Sequence, residues 1–500
     1  MANAFDPQQP NVCEQERLER IGAIQPFGAL LGGEAGDKRI AHASANARAW
    51  LGLPDGASPL GQPLGALVPV RLSDVPAQPG HKRLLPGLVE GPRGWLDALL
   101  VNTGAGWLVE LEPLSADDPL QSSQANPLLR RLFQAPQNEE ELVAYASALA
   151  DAVRHTTGYH RTLVYRFLPD DCGETIAESS LDAQPRYLGQ RFPASDVPQI
   201  ARHLYRLNTH RQIPDIAAAP EPILSLPNRE ADLSLSDLRA VSPVHLEYLR
   251  AMEVAASLSF SIQTGGTLWG LVACHHGCPR FLSLPVRERC VELTSGFALG
   301  VGAYQANRRL RRVAGLEGQI ANLVELILGA ETGLYPMSIV ESAMLELFDA
   351  PGAALANDQG IHAFGSAPGP IELAAIDRWC TLQGGDGILT TDRLGSDSGL
   401  PLDAGRAAGV LAVRARLQPG QGPERRLYWF RPEQPRTVHW AGNPHKSMTL
   451  DPITGTPSPR RSFALWVETT RGCSAPWGEL DLMGARMLRL MLLRGNARIG

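Results

Sequence analysis

The sequence contains no run of apolar residues that approaches the ~18 needed to span a bilayer, so no membrane partner is expected. Its first ten residues, Met1 to Pro10, lack the basic and apolar regions of a secretory signal. Its seven cysteines, an odd number scattered over 500 residues, form no disulfide framework, so a reduced, cytoplasmic protein is expected. Basic residues are in slight deficit, 46 against 52 acidic, and the net charge of −6 argues against general binding to nucleic acid or to anionic membranes. Missing too are a glycine–lysine phosphate loop, a nucleophile motif and an acid–base pair. No catalytic residue is therefore assigned, and no enzyme is expected within these 500 residues. What remains, 44% hydrophobic and 20% charged residues, suffices for ordinary folded cores.

The length suggests roughly three domains, and the pattern along the chain is α+β. After an N-terminal segment (1–19), short apolar runs alternate with turn residues over 20–118, as in Ala29-Leu30-Leu31-Gly32-Gly33, predicting a small domain on an antiparallel sheet. A polar linker (119–131) leads to a second domain (132–305) with strands at Thr162–Phe167, Ser257–Gln263 and Leu268–Cys274 and helices near 140 and 200. Within it, 217–236 is rich in Pro, Ala and Ser and reads as a surface loop or insertion. A helical pattern then runs over 284–328, broken only by isolated glycines. Val313, Leu316, Ile320, Leu323 and Ile327 follow the 3-4 spacing of a coiled-coil seam. The alternatives are an amphipathic helix lying on its own domain and a domain-spanning helix that pairs with a second copy; the length favours the second. The third domain (329–500) ends in a helical stretch, Glu479 to Arg494.

One string stands out: Tyr187-Leu188-Gly189-Gln190-Arg191-Phe192-Pro193-Ala194-Ser195-Asp196-Val197-Pro198. Pro193 and Pro198 impose extended or turn backbone on Phe192 and Val197, and Pro198 suits the first position of a following helix. A carboxylate is thereby held on a stiff turn beside a helix N-terminus. A lone Asp there would simply serve the helix start. The whole string, however, resembles the PASDIP signature of the phytochromes, bilin-binding red-light receptors, with Val197 in place of the usual Ile. The resemblance covers about residues 11 to 500. It implies PAS, GAF and PHY domains, each an antiparallel sheet with flanking helices, with the N-terminal segment forming a knot with the GAF domain.

Further residues acquire expected roles through that resemblance. Cys13 precedes Gly22-Ala23-Ile24-Gln25-Pro26, as in bacterial phytochromes, which implies a thioether from Cys13 to biliverdin IXα. Ile21 and Phe27 depart from the Pro and His common there. In Ser242-Pro243-Val244-His245-Leu246-Glu247-Tyr248, an N-cap and first-turn Pro open a helix that puts His245, Tyr248, Leu249 and Met252 on one face. His245 matches the histidine over the pyrrole rings; Tyr248, Tyr165, Phe192, Tyr187, Gln190 and Ser242 match the pocket lining. Cys274-His275-His276-Gly277-Cys278 invites a zinc reading. Strand alternation opposes it, because Cys274 and His276 share one face and His275 the other. The resemblance instead places His275 at the ring D carbonyl, on the face of Trp269, Leu271 and Ala273. Arg211, Arg239, Tyr205, Ser257 and Ser259 match the residues that hold the two propionates.

In the third domain, Trp440-Ala441-Gly442 and Pro459-Arg460-Arg461-Ser462-Phe463 resemble the two strands of the phytochrome tongue, expected over about 430–477. Arg460 matches the partner of the aspartate. The residues that follow are ambivalent: Phe463, Leu465 and Val467 share a strand face, whereas Phe463, Trp466, Val467 and Thr470 share a helix face. The stretch around Trp466 is expected to convert between the two forms. The implied function is red/far-red photoreception: the bilin isomerises Z/E at C15=C16, Asp196 moves from Arg460 towards ring D and Ser462, and the tongue refolds. Helix movement in a homodimer then passes the signal to an output domain. Gln190, where many members carry His, fits a bathy-type receptor with a far-red-absorbing dark state; a red-absorbing dark state is the alternative. The chain is expected to be a core cut from a sensor with a histidine kinase and a response-regulator partner. The rival reading is a PAS–GAF regulator of another small molecule, with Cys13 irrelevant.

Overall fold

The computed structural model describes residues 17–114, 134–181, 186–358, 360–383, 387–415, 424–444, 449–450, 457–458 and 462–496. They form two compact units, residues 17–304 with 439–466, and residues 305–438 with 467–496. The architecture is α+β, as expected. The 119–131 linker lies outside the described residues.

The first unit holds two large sheets and a two-stranded pair, Thr449–Leu450 with Pro457–Ser458. One large sheet is antiparallel, with strands in the order Ala23–Ile24, Glu221–Ser225, His42–Ser44, Ala29–Glu34, Gly106–Pro113, Gly94–Asn102 and Lys82–Gly91. Strand alternation gives it two apolar faces. Leu31, Ala98, Leu100, Val109 and Leu111 pack on one side, and Leu30, Leu99, Val101 and Leu108 on the other. The 217–236 stretch corrects the expectation of a surface loop. It supplies the Glu221–Ser225 strand, and Leu233 and Leu238 just beyond it are fully buried. Residues 19–25 run between its two arms: Ile223 N donates to Gly22 O on one side, while Leu233 N donates to Glu19 O and Ala240 N to Ala23 O on the other. These bonds give the backbone of 19–25 partners on both sides.

The second sheet runs His210–Ile213, Ala256–Thr264, Thr267–His276, Arg161–Phe167, Gly173–Ser180 and Arg191–Phe192, all antiparallel, and Arg191 then pairs in parallel with Trp440. Three of these strands, His210–Ile213, Gly173–Ser180 and the short Arg191–Phe192, were not among those expected. One face is covered by the helix Glu139–Thr157 and the first part of the helix Leu284–Glu331; Leu149, Val153, Phe260, Val272, Cys274 and Phe297 meet there. Asn138 caps the first helix through its side chain, and Gly158 (φ +65°) ends it. The other face carries Leu163, Tyr165, Ser257, Ser259, Ala273 and His275, and against it stand the helices Gln199–Leu207 and Pro243–Ala251. Trp269 departs from the expected face. The register slips between Ile262 and Gln263, leaving Trp269 as the extra residue, and one extra residue reverses strand parity. Its indole packs on Phe297 instead, at 5.9 Å between rings.

The second unit is a five-stranded antiparallel sheet in the order Gly360–Gly365, Gly352–Asn357, Arg425–Arg431, Gly409–Ala415 and Ile388–Thr391. One face receives the rest of the long helix together with Met337–Leu347 and Glu479–Asn496; the other receives Pro370–Leu382. This overturns the coiled-coil seam. Leu316, Ile320, Leu323 and Ile327 are buried against Met344, Leu347, Trp429 and Leu488 of the same unit, so the 3-4 pattern marks an intradomain face. The long helix also contains an 18-residue window of mean hydropathy 1.3, apolar enough by length and composition to cross a membrane, contrary to expectation. Its apolar side chains Cys290, Leu293, Phe297 and Val301 lie in the core beneath the second sheet.

Candidate functional site

The site is built on the second sheet of the first unit. The turn of the opening string is a single 3-10 turn, Ala194–Asp196, closed by Asp196 N donating to Pro193 O at 3.0 Å. Val197 (φ −129°, ψ 81°) is neither helical nor fully extended, and Pro198 occupies the N-cap instead of the first helical position expected of it, which falls to Gln199. Asp196 accepts a 2.9 Å hydrogen bond from the Tyr248 phenol. Tyr248 comes from the helix Pro243–Ala251, which opens as expected with Ser242 at the N-cap and Pro243 in the first turn; the Ser242 hydroxyl does not cap it. The helix face then presents His245 and Tyr248 with rings nearly parallel at 5.9 Å. Leu249 and Met252, on the same face, are buried with Tyr165, Tyr187 and Phe192.

Tyr165 stands edge-on to Phe192 at 5.7 Å, and Tyr187 packs on Phe192 at 5.8 Å. Gln190 sits in the turn before Arg191, donates from Nε2 to Arg186 O at 2.8 Å, and has a buried Oε1 without a hydrogen-bond partner among the described residues. Ser257, His275 and Arg161 are direct neighbours across three strands. Burial, then the charge of Arg161 and then His245, push the His275 imidazole down to about 3, so it is neutral, and its buried Nδ1 has no hydrogen-bond partner among the described residues. Burial and then Arg211 push His245 down to about 4.

Beside them lies a cationic corner. Arg211 is held by three main-chain carbonyls, Asp237 O at 3.2 Å, Ala240 O at 3.0 Å and Arg239 O. Arg239 is 8% exposed, and its Nε has no hydrogen-bond partner among the described residues. Among the described residues neither guanidinium is in an ion pair. Burial lowers Arg211 to about 10, and burial followed by the charge of Arg211 lowers Arg239 to about 9. Tyr205 and Ser259 share a 2.8 Å hydroxyl–hydroxyl bond, and Ser257 lies on the same strand face. Two desolvated cations with hydroxyls beside them make a site for an anion with two carboxylates. The neutral His275 Nδ1 and the aromatic wall suit an apolar ring with a polar edge. These are the features a bilin requires, and the residues present fit it.

The edge of the sheet meets residues 439–466. Trp440 pairs with Arg191, Ala441 is fully buried against the same cluster, and Phe463 stands edge-on to Tyr248 at 4.9 Å. Ser462 is exposed, and Trp466 is 43% exposed on the strand Leu465–Thr470, so the structure does not bring these two into the pocket. Cys13 and Arg460 lie outside the described residues.

Local patterns did not reveal Arg161, which is 3% exposed with its guanidinium 4.7 Å over the Tyr187 ring. Its one signal is that it stands in phase with Leu163 and Tyr165 on their strand. A buried charge cluster was missed as well. Asp237 takes Lys82 at 2.6 Å and faces His210 at 3.5 Å, while the fully buried Arg287 reaches His210 at 3.1 Å and pairs with Glu112. It anchors the 237–240 segment whose carbonyls hold Arg211. No short motif encodes it, because its members, Lys82, Glu112, His210, Asp237 and Arg287, come from five separate segments.

Comparison with known proteins gives a consistent result. Family profiles match at residues 13–114 (PAS fold), 141–303 (GAF domain) and 321–498 (phytochrome region). The chain is 34% identical to the bacteriophytochrome of Xanthomonas campestris pv. campestris over 98% of its own length and 80% of the relative's. It is 32% identical to that of Pseudomonas aeruginosa, covering 96% of the chain and only 66% of the relative. Among solved structures, a bacteriophytochrome of the photosynthetic bacterium R. palustris aligns with a TM-score of 0.78 at 32% identity, over 97% of this chain and 98% of that one. The photosensory core module of the Stigmatella aurantiaca phytochrome aligns equally well, at 31% identity over 98% and 99%.

Proposed function

The chain belongs to the bacteriophytochrome family, and from that premise we propose that it is a cytoplasmic red/far-red photoreceptor that carries biliverdin IXα on Cys13. The observation that carries this reading is the pair of neighbouring guanidiniums, half-buried Arg211 and buried Arg239, which are in no ion pair among the described residues and lie beside the Tyr205–Ser259 hydroxyl pair. When bound, the bilin supplies light absorption and Z/E isomerisation at C15=C16.

The chain's own residues do the rest. Arg211, Arg239, Tyr205, Ser257 and Ser259 hold the propionates. His245 lies over the pyrroles, and the Asp196 main-chain carbonyl accepts from their N–H groups. His275 marks the ring D carbonyl, with Tyr165, Tyr187, Phe192 and Tyr248 excluding water around that ring. Asp196 exchanges Tyr248 and Arg460 for ring D and Ser462 after light, and the 463–470 stretch converts from strand to helix. Exposed Leu465, Trp466 and Val467 support that conversion, since the strand leaves three successive apolar side chains in water.

The signal leaves through the long helix, in a homodimer whose contact is the exposed side of that helix, towards an output histidine kinase and its response regulator. Gln190 supports a far-red-absorbing dark state; a dark spectrum peaking in the red would assign the red-absorbing alternative. Co-expression with a haem oxygenase tests the central reading. A green protein whose pigment stays on the polypeptide after denaturation, and comes off in Cys13→Ser, is expected. A colourless protein would leave the rival small-molecule regulator standing.

A further inference from the structure

Gly173 opens the strand Gly173–Ser180 and pairs with Phe167 on one side and Phe192 on the other. A glycine within a strand pair weakens the pairing unless something needs the space that its missing side chain leaves. Its backbone does not require glycine, since Gly173 is absent from the residues with positive φ. What requires it is the Tyr165 ring. A Cβ built on Gly173 would lie 1.5 Å from Tyr165 Cζ, 1.7 Å from Oη and 2.1 Å from Cε1.

The geometry has a local cause. The register slips between Val164 and Tyr165, so that Tyr165 faces Thr175 and its side chain reaches diagonally, two residues along, onto Gly173. The phenol thus fills the gap left by the glycine. It stands edge-on to Phe167 at 5.3 Å and to Phe192 at 5.7 Å.

We propose that Gly173 is a positioning residue for the photochemistry: it seats the Tyr165 ring in the wall of the pocket and so fixes the space in which ring D turns. This rests on the bilin reading of the same site. Gly173 touches no pigment itself; it acts through where it lets the tyrosine sit. Any side chain at 173 drives the phenol off the sheet and into that space.

The test is a double-substitution cycle with Gly173→Ala and Tyr165→Ala, read first on the apoprotein. Gly173→Ala should lower Tm in the Tyr165 background. In the Tyr165→Ala background it should leave Tm unchanged or raise it, because alanine at an allowed φ restricts the unfolded chain. If Gly173→Ala alone fails to fold, Tyr165→Ala should restore folding. Additive effects, or no restoration, overturn the contact. The second reading is on protein loaded with biliverdin. Gly173→Ala should retain pigment, shift the absorption maximum, lower the photoconversion yield and raise fluorescence. Photochemistry identical to that of the unaltered protein overturns the positioning role. A colourless unaltered protein contradicts the bilin reading instead, and the apoprotein cycle still tests the contact.

Discussion

The Tyr248 phenol donates to Oδ2 of Asp196 at 2.9 Å, and through that bond the helix Pro243–Ala251 grips the 3-10 turn of the Pro-framed string. Phe463 stands edge-on to the same tyrosine, so one ring joins the aspartate turn to a residue of the 439–466 stretch. Tyr248→Phe removes the hydrogen bond and keeps the ring contacts. A bond to a charged acceptor contributes about 1.5–3 kcal/mol. Unfolding of the apoprotein should show a loss near the low end of that range, and dark recovery of the loaded protein should change rate. Unchanged recovery would mean that the bond does not participate in the switch.

The cationic corner predicts a pigment defect. Arg211→Met removes one of the two cations of the corner, together with three hydrogen bonds to main-chain carbonyls. Loss of a charge-assisted contact worth about 1.4 kcal/mol or more corresponds to at least about tenfold weaker binding. Titration of the apoprotein with biliverdin measures this. Equal affinity would place the propionates elsewhere.

The histidines predict a pH dependence. His275 is neutral in the fold, pushed down to about 3, whereas an unfolded histidine protonates below about 6.5. Between those values the unfolded chain binds the extra proton, so stability is complete above about pH 6.5 and falls as the pH drops towards 3. His245, pushed down to about 4, adds a second proton of slope with the same sign. The apoprotein Tm should therefore fall from pH 6.5 to 5, and His275→Gln should flatten that fall. An unaltered slope in the variant would remove His275 as its source.

Much of the site was legible because it is local. The string 187–198 sets its own turn, and the spacing of His245, Tyr248, Leu249 and Met252 sets a helix face without help from the rest of the chain. What was not legible depended on partners far away in sequence. The Glu221–Ser225 strand exists only because the edges of Ala23–Ile24 and His42–Ser44 receive it. One bulged residue reversed Trp269, since strand parity carries no memory across a slip. The 3-4 spacing of Leu316 to Ile327 reports an apolar face and not its partner, which here is the unit's own core. Arg161 and the Asp237 cluster are buried charges that no window of sequence distinguishes from surface ones.

The seam carries its own test. Leu323 is fully buried among residues of the second unit, so Leu323→Ala should cost about 2–5 kcal/mol in stability. Self-association measured by sedimentation should be unaffected in the folded fraction. Dissociation into folded monomers would restore the coiled-coil reading.

Trp466 is 43% exposed on its strand, so replacing it removes little packing from this form of the stretch. Trp466→Gln should keep pigment and Tm while shifting the photoequilibrium and the dark-recovery rate. An unchanged photoequilibrium and recovery would contradict strand-to-helix conversion.

The central claim is that this pocket holds a bilin whose isomerisation the surrounding residues read. A light-minus-dark absorption spectrum of the protein loaded with biliverdin, under alternating red and far-red illumination, tests it most directly. Two bands that exchange reversibly through an isosbestic point are predicted. A protein that binds pigment but shows no reversible exchange, or binds none, would contradict it.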